Sequence, residues 1–227
     1  MTSTRAPRSR NTAVSKAARA GESSRRTWII AAAVLVVALA GVMAFALSQE
    51  ESPSTMRGSQ TADVTITGEP LPPLPQGPSE AVGLPMPEAS GTSLGGEPMV
   101  IGNDGTPKVI GFFTHWCPAC QAEVPEVSSW ANDGNLPDDV DVVAVNTGVD
   151  PSRPNYPATA WLERENWNIP TLLDSGRNEA ANAFGLSAYP FWVAVDADGT
   201  VVNQMSGQIG ISELEALIDQ ARAGAAG

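Results

Sequence analysis

The chain has 227 residues, of which 42% are hydrophobic, and it contains 13 basic and 25 acidic side chains. Seven of the basic residues precede Trp28, so the remainder carries six basic and 24 acidic residues and a net charge of about −18. Binding to phosphates requires a basic face, which this acidic body lacks, so nucleic acid is excluded as a partner.

The first 47 residues are typical of a membrane anchor that follows a cytoplasmic tail. Residues 1–27 are rich in Arg and Ser without a hydrophobic period, which predicts a basic cytoplasmic tail. Residues 28–47 contain no charge and, as a helix of about 30 Å, span a bilayer once. The preceding basic residues predict a cytoplasmic N-terminus, with everything after the anchor outside the cytoplasm.

A cleaved signal peptide is the alternative interpretation of the same segment. The apolar run exceeds the length of about 7–15 residues that is usual in such peptides, yet Ala44-Phe-Ala46 resembles a small-residue cleavage site. Cleavage there would give a secreted protein instead of a single-pass membrane protein.

Residues 48–97 are rich in Pro, Gly and Ser and predict a semi-extended spacer. Such a segment would hold a folded domain away from the lipid while letting it reach its partners. Part of it, from Gly83 onward, can fold against the edge of that domain.

The pattern from residue 98 onward predicts one α/β domain that ends near residue 223. Short apolar runs alternate with amphipathic ones, and Asp198-Gly199 is a hairpin signal near the end. This order predicts a mixed central sheet flanked by helices, parallel at first and antiparallel at its end. The predicted strands are 109–113, 140–145, 169–173, 191–196 and 201–205, and the predicted helices are 118–132, 158–166, 177–184 and one that begins with a capping box at Ser212.

A Cys-x-x-Cys pair lies where the first of these strands gives way to a helix. Pro118 fits the first helical turn, so Cys117 is expected at the helix N-terminus, where unpaired amides and the helix dipole stabilise a thiolate. This position predicts that Cys117 is the nucleophile. Cys120 lies one turn along, close enough to form a disulfide with Cys117 and sheltered enough to act as the resolving thiol.

Three other interpretations of the pair remain open at this level. A structural disulfide usually closes a longer loop and seldom begins a helix. A zinc site needs about four ligands, but the chain offers two Cys and one His. Incidental free thiols would be exposed to oxidation outside the cytoplasm.

Two motifs in this order resemble the thioredoxin superfamily, and in particular its membrane-anchored, extracytoplasmic TlpA/ResA-like branch. The first is the run from Trp116 to Pro125, which matches Trp-Cys-x-x-Cys with the extension x-x-Glu-x-Pro. The second, residues 184–199, contains Pro190 at the position of the family's cis-proline, followed by an Asp-x-Asp-Gly turn. The resemblance covers about residues 98–223 and implies a thioredoxin-like fold.

The resemblance also implies roles for residues around the two cysteines. Trp116 is expected to cover the pair, and a cis peptide before Pro190 would leave the Tyr189 backbone free to pair with an extended substrate. Glu123 is either a proton relay to Cys120 or a solvated helix residue. His115 either tunes the Cys117 thiolate or merely lines the loop.

Departures from the family pattern leave the redox properties open. Thioredoxin has a buried Asp where this chain has Gly111, and the dipeptide between the cysteines is Pro-Ala. Proton transfer must therefore use other groups or water, and the dipeptide does not predict a reduction potential.

The resulting hypothesis is an extracytoplasmic thiol:disulfide oxidoreductase, with reduction as the favoured direction. Its expected partners are protein thiols or disulfides and a membrane electron donor, and it would need no metal and no cofactor beyond the Cys117–Cys120 disulfide. The alternatives are a disulfide-forming oxidase and a thioredoxin-fold adaptor without turnover. A peroxidase ranks last, because the Pro-x-x-x-Thr-x-x-Cys pattern is absent before Cys117.

Overall fold

The computed structural model describes residues 59–224. The predicted cytoplasmic tail (1–27) and anchor (28–47) lie outside this range and stay predictions. Within residues 59–224, none of the helices combines the length and the hydrophobicity that crossing a bilayer requires.

The described range forms eight strands and four α-helices. The strands are β1 (Thr65–Thr67), β2 (Glu88–Ser93), β3 (Pro98–Ile101), β4 (Lys108–Phe113), β5 (Asp141–Asn146), β6 (Thr171–Leu173), β7 (Phe191–Val195) and β8 (Val201–Ser206). The helices are α1 (Pro118–Trp130), which runs into a π-helical turn (Ala131–Asn135), α2 (Ala158–Arg164), α3 (Glu179–Ala183) and α4 (Gly210–Ala223).

The strands form one mixed sheet in the order β1-β2-β6-β5-β4-β7-β8, with β3 paired to the same β2. At its centre β5 runs parallel to both β4 and β6. On the other side β7 is antiparallel to β4, and β8 is antiparallel to β7. For the strands predicted from residue 109 onward, the mixed sheet that is parallel first and antiparallel at its end is confirmed. Strands β1 to β3, which were not predicted, extend it with antiparallel pairs.

Strand β4 is buried on both faces because hydrophobic clusters cover the sheet from each side. Val109 and Phe113 point into the cluster formed with α1 and α4, whereas Ile110 and Phe112 point into the cluster that includes α3. A strand buried on both faces is held firmly, and its carboxyl end leads directly to Cys117.

The predicted spacer is wrong for residues 59–82, which belong to the folded domain, whereas the chain from Gly83 onward does fold against the domain edge, as expected. Strands β1 and β2 lie within residues 59–97, and β2 pairs with β6 through Thr92 and Leu173. Leu71 and Ala81 are buried in the hydrophobic cluster on the α3 side of the sheet, and the Leu71 amide donates to the carbonyl of Ala183 at 2.8 Å. Isolated apolar residues among prolines therefore complete the core, and the domain begins well before residue 98. Residues 48–58 lie outside the described range.

Candidate redox site

The two cysteines lie at the turn from β4 into α1. Cys117 caps α1, and Pro118 occupies the first helical position, where its missing N–H is not required. The Cys117 amide donates to Thr114 O at 3.3 Å, and the Cys117 carbonyl accepts from the Gln121 amide at 3.0 Å. The predicted position of Cys117 at the helix N-terminus is confirmed.

The two thiols differ in exposure. Both are free in this structure, with Cys117 partly exposed and Cys120 fully buried. Burial raises the pKa of the Cys120 thiol well above its ordinary value, and a hydrogen bond with Cys117 and the charge of Glu123 raise it further. Cys117 is therefore the thiol that a second protein can reach. Within residues 59–224, no group of three or more His, Cys, Asp and Glu side chains is arranged to hold a metal ion.

Glu123 lies one turn beyond Cys120 on α1 and is fully buried, so it is not a solvated helix residue. Its Oε1 accepts from the amides of Ile209 at 2.8 Å and Gly210 at 3.2 Å. Its Oε2 accepts from Trp192 Nε1 at 3.3 Å. Burial raises the pKa of the Glu123 carboxyl, although the three donors oppose this effect.

The same carboxyl explains where α4 begins. The capping box predicted at Ser212 does not form, because α4 begins at Gly210 with Ile209 as its N-cap. The first amides of a helix need acceptors, and Glu123 supplies one to Ile209 and Gly210. A buried acid on α1 thus fixes the start of α4.

Gly111 leaves room for the ring that holds this carboxyl. A Cβ at position 111 would lie 2.7 Å from Phe113 Cε2 and 2.8 Å from Trp192 Cζ3. Thioredoxin has an Asp at the position of Gly111, whereas in this chain the space next to Gly111 is occupied by Trp192. The Trp192 indole donates to Glu123. Sequence reasoning missed Trp192, and the glycine on an otherwise apolar strand was its only signal.

Trp116, Tyr189 and Pro190 are brought together beside Cys117, as the resemblance implies. The peptide bond between Tyr189 and Pro190 is cis. The Tyr189 carbonyl accepts from Cys117 Sγ at 3.7 Å. The Tyr189 ring contacts the Trp116 ring edge-on, with 5.8 Å between the ring centres. The exposed sulfur therefore has an aromatic wall on one side and a backbone acceptor next to it.

His115 braces a loop that runs from Gly148 to Pro157, hereafter the 148–157 loop. The imidazole is fully buried, with Nδ1 2.6 Å from Pro154 O and Nε2 3.2 Å from the Asp150 amide. Both contacts are satisfied by the neutral ring with its proton on Nδ1, which donates to Pro154 O while Nε2 accepts. These contacts assign His115 to the support of the loop, in line with the second interpretation from the sequence.

The 148–157 loop is also tied to the motif through Gly148, which sequence reasoning missed. Its carbonyl accepts from Trp116 Nε1 at 2.7 Å and from Thr114 Oγ1 at 3.1 Å. Gly148 has a positive φ of 61°, and a Cβ there would lie 2.6 Å from the Tyr189 hydroxyl. A glycine is thus required where the loop approaches the aromatic wall.

Comparison with protein families matches residues 81–218 to the Redoxin model. This range covers more than half of the chain and contains the whole of the site described above. Sporulation thiol-disulfide oxidoreductase A of Bacillus subtilis (strain 168) is 24% identical over 123 residues, which are 54% of this chain and 73% of that protein.

Two solved structures are similar to this chain over nearly their whole length. A thiol:disulfide interchange protein of the thioredoxin family from Chlorobium tepidum TLS aligns with a TM-score of 0.50 and 19% identity, over 63% of this chain and 99% of that one. StoA from Bacillus subtilis aligns with a TM-score of 0.47 and 21% identity, over 60% of this chain and 98% of that one. The Chlorobium likeness supports the predicted thioredoxin-like fold.

Proposed function

This chain belongs to the Redoxin family and is an oxidoreductase, and from this premise we propose that it exchanges disulfides with protein substrates outside the cytoplasm through Cys117 and Cys120. One observation supports this most: a partly exposed thiol at a helix N-terminus contacts a fully buried thiol one turn away. Such a pair has one sulfur for attack and one for resolution.

The exchange proceeds in two displacement steps. The Cys117 thiolate attacks one sulfur of a substrate disulfide, the substrate S–S bond breaks, and its second sulfur leaves as a thiolate that takes up a proton. Cys120 then loses its proton and attacks Cys117 Sγ, which releases the other substrate sulfur. The substrate gains two electrons and two protons, and the protein is left with a Cys117–Cys120 disulfide. The reverse sequence oxidises a substrate dithiol.

The second step needs a base, because Cys120 is buried and its raised pKa keeps it protonated near neutral pH. Glu123 is the buried carboxyl on the same helix, and its charge contributes to the raised pKa of Cys120. We assign it the uptake of the Cys120 proton during resolution and its return during the reverse reaction.

The substrate segment is proposed to lie extended across Trp116 and Tyr189. Aromatic rings supply apolar contact area that tolerates different side chains. The Tyr189 carbonyl next to Cys117 Sγ can accept a backbone hydrogen bond from the segment that carries the substrate disulfide. Contacts through the backbone suit a protein substrate more than a small thiol.

Reduction is the proposed direction. Each reductive cycle leaves the pair oxidised, so it requires a thiol donor, which for a tethered domain would be a membrane electron donor. The Pro-Ala dipeptide is compatible with this direction because it differs from the Pro-His of strongly oxidising relatives.

The reaction itself is tested with the reduced protein, freed of small thiols and mixed with an equal amount of a peptide disulfide. Mass spectrometry should show a protein that has lost two hydrogens and a peptide that has gained two. An unchanged protein mass after prolonged mixing would show that no exchange occurs.

Localisation has its own expected result. A basic tail followed by the uncharged run at 28–47 should leave the chain in the membrane fraction with the domain outside. Protease added to intact cells should therefore digest the domain, whereas a cytoplasmic marker should survive. A soluble mature protein whose N-terminus lies near Leu47 would show that the segment is cleaved.

A further inference from the structure

The 148–157 loop places one basic side chain at the rim of the redox site. The Arg153 guanidinium carbon lies 4.7 Å from the centre of the Trp116 ring, and just over half of the Arg153 side chain is exposed. Tyr189 contacts the same ring edge-on. Trp116, next to Cys117 in the chain, thus has the cation over its ring.

The position of Arg153 follows from the fixed conformation of its loop. His115 holds Asp150 and Pro154 on either side of Arg153. Asn155 Nδ2 donates to His115 O at 3.3 Å, which fixes the loop again just beyond Arg153. A cation on a loop braced at several points is presented in one place, with little entropy left to lose on binding.

Charge in the rest of the domain makes this position unusual. Residues 59–224 hold 22 acidic but only five basic side chains. Three of the other four basic residues are paired with acids away from the redox motif: Lys108 with Asp104 and Asp141, Arg177 with Glu179, and Arg222 with Asp139 and Asp219. The fourth, Arg164, donates to Ala160 O and Asn155 Oδ1.

Arg153 keeps donors available for a ligand. Within residues 59–224, its one ion pair joins Nε to Asp150 Oδ2 at 3.6 Å, which is beyond the length of a hydrogen bond. Asp150 is itself engaged through Oδ1 by the amide and hydroxyl of Ser152. The two terminal nitrogens of Arg153 therefore present a planar fork, the geometry that a carboxylate accepts bidentately.

We propose that Arg153 is a specificity-determining residue that binds a carboxylate flanking the substrate cysteine, so that the preferred substrates have Asp or Glu beside the sulfur that Cys117 attacks. The inference rests on the proposed exchange function and names its substrate class. The rest of the domain surface is acidic and repels a substrate segment with Asp or Glu. The preference for such a segment therefore arises at Arg153 and the Trp116 ring. A segment with flanking Lys would meet a like charge at this rim.

The test compares two peptide disulfides that differ only in having Asp or Lys on both sides of the cysteine. Rates are measured with the reduced protein at about 0.15 M salt, where charges beyond roughly 8 Å are screened and the net charge of the domain contributes little. We expect the wild type to react about tenfold faster with the Asp peptide, and Arg153→Glu to reverse the preference. Arg153→Lys keeps the charge but loses the planar fork, so its preference for the Asp peptide should lie between those of the wild type and Arg153→Glu.

Arg222→Glu is the matched control, because it makes the same change of charge on an exposed side chain at the opposite end of the sheet. Its partner Asp139 precedes the amino end of β5, whereas the redox motif follows the carboxyl end of the parallel strand β4. Arg222→Glu should leave the peptide preference within about twofold of the wild type. The uncharged reagent 4,4′-dithiodipyridine should react equally with all folded variants, since it carries no flanking charge, and melting temperatures check that each variant folds.

Equal rates with the two peptides, or a preference that Arg153→Glu leaves unchanged, would overturn the inference while exchange itself still stands. Loss of preference in Arg222→Glu to the same extent would show that net charge is responsible, and would overturn it as well. A wild type that oxidises with neither peptide nor dithiodipyridine would refute the proposed function and, with it, this inference.

Discussion

Cys120→Ser should stall the reaction at a protein–substrate mixed disulfide that persists, whereas Cys117→Ser should form none. The serine hydroxyl cannot displace a sulfur from Cys117 Sγ, so the first step occurs and the second does not. Complete reduction of the substrate, which requires both steps, should fall by on the order of a thousandfold in both variants, because either change removes a reacting atom. Non-reducing gels and peptide mapping of the trapped species measure both results.

The roles of the two thiols are assigned from their different exposure to solvent. The results of Cys117→Ser and Cys120→Ser are therefore compared with each other. In the wild type under mildly acidic conditions, an alkylating reagent should modify Cys117 first, since Cys120 is fully buried. A double Cys→Ser variant gives the background. A mixed disulfide that forms on Cys120 in the Cys117→Ser variant, and not in the converse one, would mean that the assignment is reversed.

Glu123→Gln should slow resolution by about 100-fold while leaving the first attack unchanged. Gln cannot take the proton that Cys120 must lose, but the Cys117 step does not use that proton. In the wild type, the resolution rate should fall as pH falls through the raised pKa of Glu123, because a protonated carboxyl is no longer a base. The variant should lack this limb of the pH profile. Rapid quenching with alkylation separates the two steps.

Stability supplies an independent check on the same residue. The folded-state pKa of Glu123 lies above its ordinary value, so the folded protein loses stability as pH rises from about 4.5, the ordinary value, through the folded-state pKa. Glu123→Gln removes this loss. The free energy of unfolding of the variant should therefore rise relative to that of the wild type as pH rises over that interval.

Glu126→Gln is the control, because Glu126 is exposed on the same helix. It should leave the resolution rate at neutral pH and both pH-dependent effects in place, displaced only slightly to lower pH because the charge of Glu126 adds to the raised pKa of Glu123. Equal resolution rates in wild type and Glu123→Gln, across the pH range, would assign proton transfer to water and leave Glu123 only its contacts with α4 and Trp192.

The redox motif was predictable because its signals are local. Strand β4 is a continuous apolar run, Pro118 sets the first helical turn, and the spacing places Cys120 one turn beyond Cys117. The structure confirms each of these placements. Local propensity and tertiary structure agree here, and such agreement makes a sequence pattern reliable.

The start of α4 was not predictable from its own sequence. The sequence from Ser212 to Glu215 matches a capping box, but Glu123 reaches the amides of Ile209 and Gly210 from a helix 86 residues away in the chain. A buried carboxylate that satisfies two amides outweighs an exposed serine cap. The burial of the Glu123 carboxylate depends on Gly111 and Trp192, which lie on the neighbouring strands β4 and β7. The local sequence around Ser212 therefore does not show why α4 begins where it does.

The N-terminal part of the domain was misjudged for a related reason. Prolines and glycines over residues 59–97 indicate an extended chain, and between β1 and β2 most of this segment forms neither helix nor strand. Whether an extended segment leaves the domain or packs on it depends on a few side chains. Leu71, Ala81 and Ala89 fill the cluster beneath the sheet, and only the structure shows that this space exists.

The reduction potential of the Cys117–Cys120 pair, measured by equilibration against glutathione or dithiothreitol buffers, tests the central claim most directly. The account predicts a single two-electron transition between the dithiol and an internal disulfide, at a potential nearer to about −270 mV than to about −120 mV. A transition near −120 mV would contradict the reductive direction and assign a disulfide-forming role. Cysteines that form only separate mixed disulfides with the buffer thiol, without an internal bond, would contradict the redox pair itself.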